Sequence, residues 1–537
     1  VDSPTLYGHD YGNGGEVVGN YATVNPLNLI ATTLSNGNLT VTATGSGRSF
    51  GTMSMKIADG GKWYWEITNI AAPPTYNNHL GILADNISTT TDSNRIVWRN
   101  DGGVFRDAAF VSSIASHTVG DILGLAFDSS TRSLTYYKNG VSQGSFIASD
   151  PGTGGGFFPH FLQNIGSSLA VNFGQRAWAY APPAGYSALT TKNLPRLTGA
   201  AAAPNEYFDT VLYTGTGATQ SITSLNFQPD LVWVKGRNEA YYHRLTSSGL
   251  TQPNYLSTNS TDEEGTVNNT ISSLDSNGFT VDATGTGGTN ESAINYVAWC
   301  WKAGGAAVSN TAGTITSSVS ANTDAGFSIV TYTGNGAQGS VGHGLTSAPE
   351  LIITKAKNQI SDWYTYTTVI DGSMDYFLLN STQPKGNSGL TVPSSTVFYN
   401  DGWAATHNII AYCFHSVSGY SSIGSYTGNG SATDGPFVYT GFRPAYIMAK
   451  VAVNQLNATG WQIWDAAREP YNPEILYFHA NTSAAESDTA PVYHAIDLVS
   501  NGFKLRAADT YGMNQSGATY IYMAFAEKPF GNVNGTA

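Results

Sequence analysis

The 537 residues of this chain are enough for three or four domains at about 150 residues each. Charged residues make up only 11% of the sequence, against about 25% in typical globular proteins, so hydroxyl and amide side chains must form much of the surface. With 24 Lys and Arg against 37 Asp and Glu, the net charge of −13 and the lack of a basic block argue against nucleic acid as a partner.

The apolar residues predict an all-β protein. They come in alternating runs of four to seven, rich in Val, Ile, Thr, Tyr, Phe and Trp, and 60 Gly and 21 Pro help to separate these runs. This pattern is typical of sandwiches or barrels. No run approaches the roughly 20 apolar residues of a membrane-spanning helix, so we expect no membrane insertion. The start at Val1, with no basic and apolar leader behind it, predicts a processed, truncated or trimmed terminus.

The first 198 residues contain a distinct series of predicted strands. Residues 61–67, 79–83 and 120–128 read as strands, and Asn139-Gly140 predicts the turn of a hairpin over residues 134–141. Along the first strand Trp63, Trp65 and Ile67 alternate with Tyr64 and Glu66, so the two sets face opposite sides.

This series resembles the SPRY family. The shared phrases are a Gly-Asp-x-x-Gly-x-x-x-Asp strand at 120–128, Tyr-x-Asn-Gly at 137–140, Phe-Pro at 158–159 and x-Asn-Phe-Gly at 171–174. The resemblance implies a concanavalin-like sandwich that binds partners through loops at one end, without catalysis. Those loops would be residues 74–79 and 98–101. The candidate ligand-binding residues there are Tyr76, Asn77, Asn78, His79, Trp98 and Arg99.

The rest of the chain is an internal repeat. We define repeat 1 as residues 199–305, repeat 2 as 306–419 and repeat 3 as 420–537, each predicted to be a β-sandwich domain. A small-residue linker is expected at 198–204 and a connector or lone exposed strand at 304–323. Each repeat opens with Tyr-Thr-Gly-x-Gly, continues with a proline-led apolar strand and closes with an aromatic strand. The opening phrases begin at Tyr213, Tyr332 and Tyr426; the apolar strands follow Pro229, Pro349 and Pro444 and end at Lys235, Lys355 and Lys450.

The two cysteines occupy equivalent positions in two repeats. Cys300 and Cys413 lie in the closing strands, at the position of Ala524 in repeat 3. Equivalent positions in separate domains should lie farther apart than the roughly 7 Å between Cα atoms that a disulfide permits. We therefore expect two buried free thiols and no disulfide.

Other chemistry is weakly indicated. Asp262, Glu263 and Glu264 form one acidic cluster that could bind a hard cation, although a solvated loop is the simpler interpretation. Trp461 and Trp464 are candidate ligand or interface residues, because exposed tryptophan offers a flat apolar face with a polar edge. No pattern predicts catalytic residues, a metal centre or a cofactor.

Nearly the whole chain resembles structural proteins of tailed bacteriophages. The phrases are at residues 4–8 and 19–27, in the three Tyr-Thr-Gly-x-Gly segments, at 441–444 and at 524–530. The resemblance implies a virion tail fibre or appendage that binds the host cell surface, either a glycan or a surface protein, and contacts other virion proteins. It also implies a homotrimer. The alternatives are a capsid decoration protein that binds virion subunits and a polysaccharide-degrading tailspike enzyme.

Overall fold

The computed structural model describes residues 21–527, with internal gaps. The gaps are residues 46–47, 54–55, 58–60, 73–77, 85–93, 150–155, 191–192, 194–198, 202, 252, 266–270, 283–287, 432–433, 455–458, 488–493 and 507–511. The described residues form two compact units, unit 1 (residues 21–193) and unit 2 (residues 199–527). Strands dominate both units, which confirms the all-β prediction. Within these ranges, no helix is both long enough and apolar enough to cross a membrane.

Unit 1 contains fifteen described strands. They are β1 (Val24–Ile30), β2 (Thr32–Ser35), β3 (Thr40–Ala43), β4 (Arg48–Met53), β5 (Lys62–Ala71), β6 (His79–Ala84), β7 (Arg95–Arg99), β8 (Gly103–Arg106), β9 (Ala109–Ser113), β10 (Ile122–Asp128), β11 (Ser133–Lys138), β12 (Val141–Ile147), β13 (Phe157–Asn164), β14 (Ser168–Asn172) and β15 (Ser187–Ala188).

These strands form a sandwich of two sheets. One sheet has the order β1-β4-β13-β6-β7-β8-β9, and the other has the order β12-β11-β10-β5-β14-β3-β2, with β15 parallel to β5. Trp63, Trp65 and Ile67 on β5 lie in the core of the unit, as the alternation predicts. Glu66 faces the other side of β5 and is nevertheless buried, and its carboxylate is satisfied by the backbone N–H groups of residues 179 and 180, which donate to it at 3.0 Å.

Unit 2 begins with two 3-10 turns, Gly199–Ala201 and Pro204–Glu206. Repeat 1 then contains β16 (Phe208–Thr214), β17 (Gln220–Ile222), β18 (Leu231–Gly236), β19 (Arg244–Ser247), β20 (Ile271–Asp275), β21 (Gly278–Val281) and β22 (Asn295–Trp301). Repeat 2 contains β23 (Val308–Asn310), β24 (Ser317–Asn322), β25 (Phe327–Thr333), β26 (Ser340–Gly342), β27 (Leu351–Ala356), β28 (Tyr364–Thr367), β29 (Asp375–Leu378), β30 (Gly386–Asn387), β31 (Val397–Tyr399) and β32 (Asn408–Phe414). Repeat 3 contains β33 (Ser421–Thr427), β34 (Phe437–Tyr439), β35 (Pro444–Val453), β36 (Gln462–Asp465), β37 (Phe478–His479), β38 (Ile496–Val499), β39 (Gly502–Leu505) and β40 (Thr519–Ala526).

The three repeats share one strand order. Their main sheets contain the series β16-β22-β18-β19, β25-β32-β27-β28 and β33-β40-β35-β36. A smaller second sheet has three strands in repeats 1 and 3 (β17-β21-β20 and β34-β39-β38) but only two in repeat 2 (β26-β31). In repeat 2, β23 and β24 extend the main sheet on one side, so the expected connector at 304–323 is part of that sheet.

The glycines of the opening phrase have a steric explanation. A Cβ at the first glycine would lie 2.1–2.3 Å from a backbone oxygen of the segment that precedes the closing strand; these glycines are Gly215, Gly334 and Gly428. The second glycine has a left-handed backbone, with φ of +74°, +78° and +69° at Gly217, Gly336 and Gly430. The two glycines are therefore required where the opening phrase passes close to the segment that precedes the closing strand.

Each main sheet is buried on both faces. One face packs on the second sheet of the same repeat and forms a separate small core. The other face contributes to a core shared by all three repeats, in which Trp301, Phe414 and Phe525 occupy equivalent positions at the ends of the closing strands. The three repeats are therefore not independently cored. The expected linker is also part of this shared core, because Ala200 and Ala201 are buried in it.

The repeats close into a ring through equivalent hydrogen bonds. Trp363 of repeat 2 donates its indole N–H to the carbonyl of Ser257 in repeat 1, and Trp461 of repeat 3 donates to Leu378 in repeat 2, both at 2.9 Å. At the equivalent position of repeat 1, His243 Nε2 lies 3.1 Å from the carbonyl oxygen of residue 479 in repeat 3. Each repeat thus contacts both others in a pseudo-threefold arrangement within one chain.

An ion network strengthens the contact between repeats 1 and 3. Arg468 lies 2.6 Å from Asp465 and 2.8 Å from Glu486, and Arg237 of repeat 1 lies 2.9 Å from the same Glu486. The indole N–H of Trp299, also in repeat 1, donates to Asp465 at 2.9 Å. Because Arg468 and Asp465 are buried, their charges require these partners.

The three repeat lysines are buried and hydrogen-bonded to backbone carbonyls. The Nζ of Lys355 donates to the carbonyl of Thr261 in repeat 1, and that of Lys450 donates to Thr382 in repeat 2. In repeat 1, the Nζ of Lys235 lies 5.2 Å from the ring centroid of Phe478 in repeat 3. Burial lowers the pKa of Lys235 and Lys450 to about 7 and that of Lys355 to about 8.

Both cysteines are buried free thiols, as predicted. Cys300 lies in the small core of repeat 1 and Cys413 in that of repeat 2. Burial raises the pKa of both thiols well above the ordinary value, so neither is an activated nucleophile.

Candidate binding surface

The described end of the first predicted loop, Asn78 and His79, adjoins the second predicted loop. His79 at the start of β6 pairs with Arg99 at the end of β7. Beyond this pair, the backbone N–H of Asn78 donates to Asn100 Oδ1, and that of Asn100 donates to the carbonyl of Asn78, both at 3.1 Å. Asn78 and His79 are themselves buried, so they support the loops instead of presenting side chains to a ligand. Tyr76 and Asn77 lie outside the described residues.

A buried hydrogen-bonded group, centred on Asn69, lies at this end of the sandwich. Asn69 on β5 places its Nδ2 2.9 Å from Nδ1 of His117 and 3.2 Å from the carbonyl oxygen of Thr118. Burial lowers the pKa of His117 to about 4, although the nearby Asp121 carboxylate acts in the opposite direction. The imidazole is therefore neutral at pH 7 and accepts the Asn69 hydrogen bond.

Trp98 is a core residue, which corrects its assignment as a surface candidate. Its indole N–H donates to the carbonyl of Ala115 at 3.0 Å, and its ring packs edge-on against His117 with centroids 5.0 Å apart. Arg99, the next residue, points to the opposite face of the sheet, because side chains alternate along β7. Arg99 is partly exposed and forms an ion pair with Asp101 at 3.0 Å.

Arg99 is part of an exposed apolar and charged surface. Its guanidinium carbon lies 4.7 Å from the ring centroid of Phe105, whose ring contacts that of Phe110 edge-on at 5.7 Å. Phe110 is 63% exposed and lies on β9, the last strand of its sheet. We name Arg99, Asp101, Phe105 and Phe110 the Arg–Phe surface. Neither phenylalanine could be predicted from the sequence, since alternation on an edge strand does not say which face is open to solvent.

The two tryptophans proposed in repeat 3 are also buried. Trp461 belongs to the shared core, and Trp464 packs in the small core of repeat 3 and donates its indole N–H to the carbonyl of His494 at 3.1 Å. Neither ring has a face available to a ligand, so their assignment as candidate ligand or interface residues was wrong. Their burial could not be predicted from the sequence, because the residues that cover the two rings come from distant parts of the chain.

The acidic cluster lies at the contact between repeats 1 and 2. Asp262 and Glu263 are exposed, while Glu264 donates its backbone N–H to the carbonyl of Lys357 in repeat 2 at 2.7 Å. The Glu264 carboxylate accepts a hydrogen bond from Asn254 at 2.8 Å. In the described part of the chain, no three His, Cys, Asp or Glu side chains are grouped as metal ligands.

Each unit matches a known protein family over part or most of its length. Residues 203–529, more than half of the chain, match the family model described as Domain of unknown function (DUF7483). The chain belongs to this DUF7483 family. The family match covers nearly all of unit 2, and residues 62–176 in unit 1 match the SPRY domain, which confirms that resemblance. A comparison with curated proteins finds no match.

Solved structures similar to this DUF7483 protein include SPRY domains. The SPRY domain of human HERC1 has 17% identity and a TM-score of 0.26, covering 29% of this chain and 99% of that chain. The TRIM65 PSpry domain has 15% identity and a TM-score of 0.23, covering 28% and 90% respectively. Stonustoxin has 13% identity and a TM-score of 0.23, covering 28% of this chain and 27% of its own.

Proposed function

We propose that this protein is a structural protein of a tailed-phage virion, a tail fibre or appendage that binds the host cell surface by contact and without catalysis. The Arg–Phe surface is the observation on which the proposal depends. It combines a guanidinium with an exposed aromatic ring, and arginine and aromatic side chains are enriched in protein interfaces. The hydrogen bonds between Asn78 and Asn100 order the backbone next to Arg99, which reduces the entropy that binding would cost.

Unit 2 acts in this proposal as a rigid carrier. Its closed ring ties three repeats together by hydrogen bonds, buried ions and one shared core. A homotrimer remains part of the proposal, by resemblance to phage fibres. It would have to form through surfaces other than the contacts between repeats, since those are already occupied within one chain. Native mass spectrometry distinguishes a 56.8 kDa monomer from an assembly of three chains.

The cell-surface proposal is tested by adsorption. Fluorescently labelled full chain is mixed with a panel of bacterial strains and measured by flow cytometry, and we expect binding to a subset of strains. Phe110→Ser and Arg99→Ala should each reduce binding about tenfold. Tyr471→Ser, a change at an exposed tyrosine of repeat 3, is the control. Equal binding by all four proteins would rule out the Arg–Phe surface as the receptor site.

A capsid decoration protein is the second candidate, and one feature favours it. Strand β9 is an edge strand that contains no charged residue and no proline, two devices that usually prevent edge-to-edge pairing. Such an edge could accept a strand from a virion subunit. Immunogold labelling of virions with antibody against residues 1–198 separates the two functions: label on the tail supports host attachment and label on the head supports decoration. Virions that lack the chain would contradict both.

A further inference from the structure

Repeat 2 carries an aromatic cluster on the outer side of its main sheet. Tyr364 and Tyr366 of β28 lie near Tyr376 of β29, with centroid distances of 6.0–6.5 Å among the three rings. Trp403 packs edge-on against Tyr364 at 5.8 Å. Tyr366 is buried beneath the other rings, whereas Tyr364, Tyr376 and Trp403 are partly exposed. The cluster therefore offers several ring surfaces at one place.

The cluster lies where repeat 2 departs from the common architecture. In repeats 1 and 3 the second sheet has a third strand, β20 or β38, directly before β21 or β39. The corresponding segment before β31, residues 388–396, is irregular. One of its side chains, Leu390, packs into the small core. The second sheet of repeat 2 thus has one strand fewer than in the other repeats, and β29 and β30 extend the main sheet beyond β28.

Equivalent positions in the other repeats show that the cluster is not a requirement of the fold. Tyr376 aligns by strand register with Tyr255 and Tyr477. In repeat 1, the Arg244 guanidinium covers Tyr255 at 4.2 Å, and in repeat 3 the His494 ring lies 4.4 Å from Tyr477, which is buried. The tyrosine is common to all three repeats, but its surroundings differ in each.

The position of Trp403 shows the same divergence. Asn290 and Asn514 occupy it in repeats 1 and 3, where each is buried and hydrogen-bonds the opening phrase through its side chain. As at Asn290 and Asn514, the backbone carbonyl of Trp403 accepts a hydrogen bond from the second glycine of that phrase, here the N–H of Gly336 at 2.8 Å. Its side chain instead joins the aromatic cluster. A large, partly exposed ring has therefore replaced a structural amide.

Polar groups border these rings. The carboxylate of the exposed Asp401 lies 3.5 Å from the hydroxyl of Tyr366. Asp362 and Asp401 both lie near enough to Tyr364 to raise the pKa of its phenol, although burial is the larger cause. Two buried polar atoms in this region, the hydroxyl of Tyr332 and Nδ2 of Asn400, have no hydrogen-bond partner among the described residues. The two buried atoms are closed to a surface ligand, so the exposed Asp401 carboxylate is the hydrogen-bond acceptor available beside the aromatic surface.

We propose that Tyr364, Tyr376, Trp403 and Asp401 form a binding site for a neutral hexopyranose unit of a glycan. One face of such a sugar ring carries C–H groups that pack on aromatic rings, and its rim carries hydroxyl groups that donate to a carboxylate. The two carboxylates disfavour an anionic sugar by charge repulsion. The site belongs to unit 2 and is independent of the Arg–Phe surface, so either can fail without the other.

Saturation-transfer NMR on the full chain tests this site. The probes are the methyl glycosides of glucose, galactose, mannose and N-acetylglucosamine at about 10 mM, since single-sugar affinities are expected in the millimolar range. Methyl glucuronide is the anionic comparison. We expect transfer to the ring protons of at least one neutral probe and weaker transfer to the glucuronide. No transfer to any neutral probe, or equal transfer to the glucuronide, would overturn the proposal.

Two variants assign the binding to this cluster. Trp403→Ala should weaken binding of the responding glycoside about tenfold by removing a stacking surface. Asp401→Asn should also weaken it while retaining the shape of an exposed side chain, so it separates binding from stability. Tyr471→Ser is the matched control. Wild-type affinity in both Trp403→Ala and Asp401→Asn would show that the glycoside binds elsewhere and would refute the site.

Discussion

In unit 1, only outer strands such as β3 and β11 alternate buried with partly exposed residues, while central strands such as β6 and β10 are buried almost throughout, and the two sheets share a single core. In unit 2, the closing strands β22, β32 and β40 are buried along almost their whole length, because each main sheet separates a small core from the shared one. A half-buried sheet needs only period-two alternation, whereas a sheet covered on both faces needs a continuous apolar run. The same strand chemistry thus builds either a self-contained sandwich or one part of a larger ring.

The largest expected effect comes from the shared core. Phe525→Ala should destabilise unit 2 by about 3–5 kcal/mol, since Phe525 contacts rings of all three repeats. Hydrogen exchange should show lost protection in repeats 1, 2 and 3 together. Phe127→Ala, in the core of unit 1, is the matched control and should leave the exchange of unit 2 unchanged. Loss confined to repeat 3 would contradict a shared core.

The next effect concerns the ion network between repeats 1 and 3. Arg468→Met should cost about 3 kcal/mol, because it leaves the Asp465 and Glu486 carboxylates without their buried cation. Urea unfolding measures the change. Arg443→Met removes a more exposed ion pair with Glu527 and should cost less than about 1 kcal/mol. Similar losses in the two variants would show that burial does not set the strength of this contact.

Acid should weaken unit 1 through His117. Because its pKa falls from 6.5 in the unfolded chain to about 4 in the folded unit, the unfolded state binds the proton first as the pH drops. The stability of unit 1 is therefore complete above about pH 6.5, and about 2–3 kcal/mol is lost by pH 4.5. Urea unfolding of His117→Gln at pH 7 and pH 4.5 should show a correspondingly smaller loss than wild type. An identical pH dependence would mean that His117 is not a buried neutral residue.

The smallest expected effect on stability is at the Arg–Phe surface. Phe110→Ser should change the free energy of unfolding by less than about 0.5 kcal/mol, because the ring is largely exposed. Thermal unfolding checks this value independently of adsorption to cells. A loss above about 2 kcal/mol would show that Phe110 packs as a core residue and does not form part of an open surface.

Much of the fold could be predicted from the sequence because its signals are local. The alternation at Trp63 and Trp65 and the Asn139-Gly140 turn, with φ of +47° and +80°, depend on neighbouring residues only. The equivalence of Cys300 and Cys413 follows from the spacing of the repeats. The buried state of Trp98 and Trp461 was not predictable in this way, because the groups that cover them come from other strands or another repeat.

The candidate site residues divide in the same way, into those with a signal in the sequence and those whose exposure depends on distant parts of the chain. Arg99 could be predicted as a surface candidate, since it lies in a loop that the SPRY resemblance implies, but its neighbours Phe105 and Phe110 could not. Their exposure depends on β9 being the last strand of its sheet, which is a property of the topology and not of the segment. The aromatic cluster of repeat 2 was not predictable for a related reason, because Tyr364, Tyr376 and Trp403 come from separate segments that only the fold brings together.

The ring of unit 2 consists of three segments of a single gene product. In a symmetric assembly of identical subunits, any substitution appears at every equivalent position at once. Here each repeat can change its outward residues alone, provided that the inward-facing side chains continue to pack together. The distinct residues around Tyr255, Tyr376 and Tyr477 are the result expected of such freedom. One covalent scaffold can therefore evolve three unlike faces without losing its common centre.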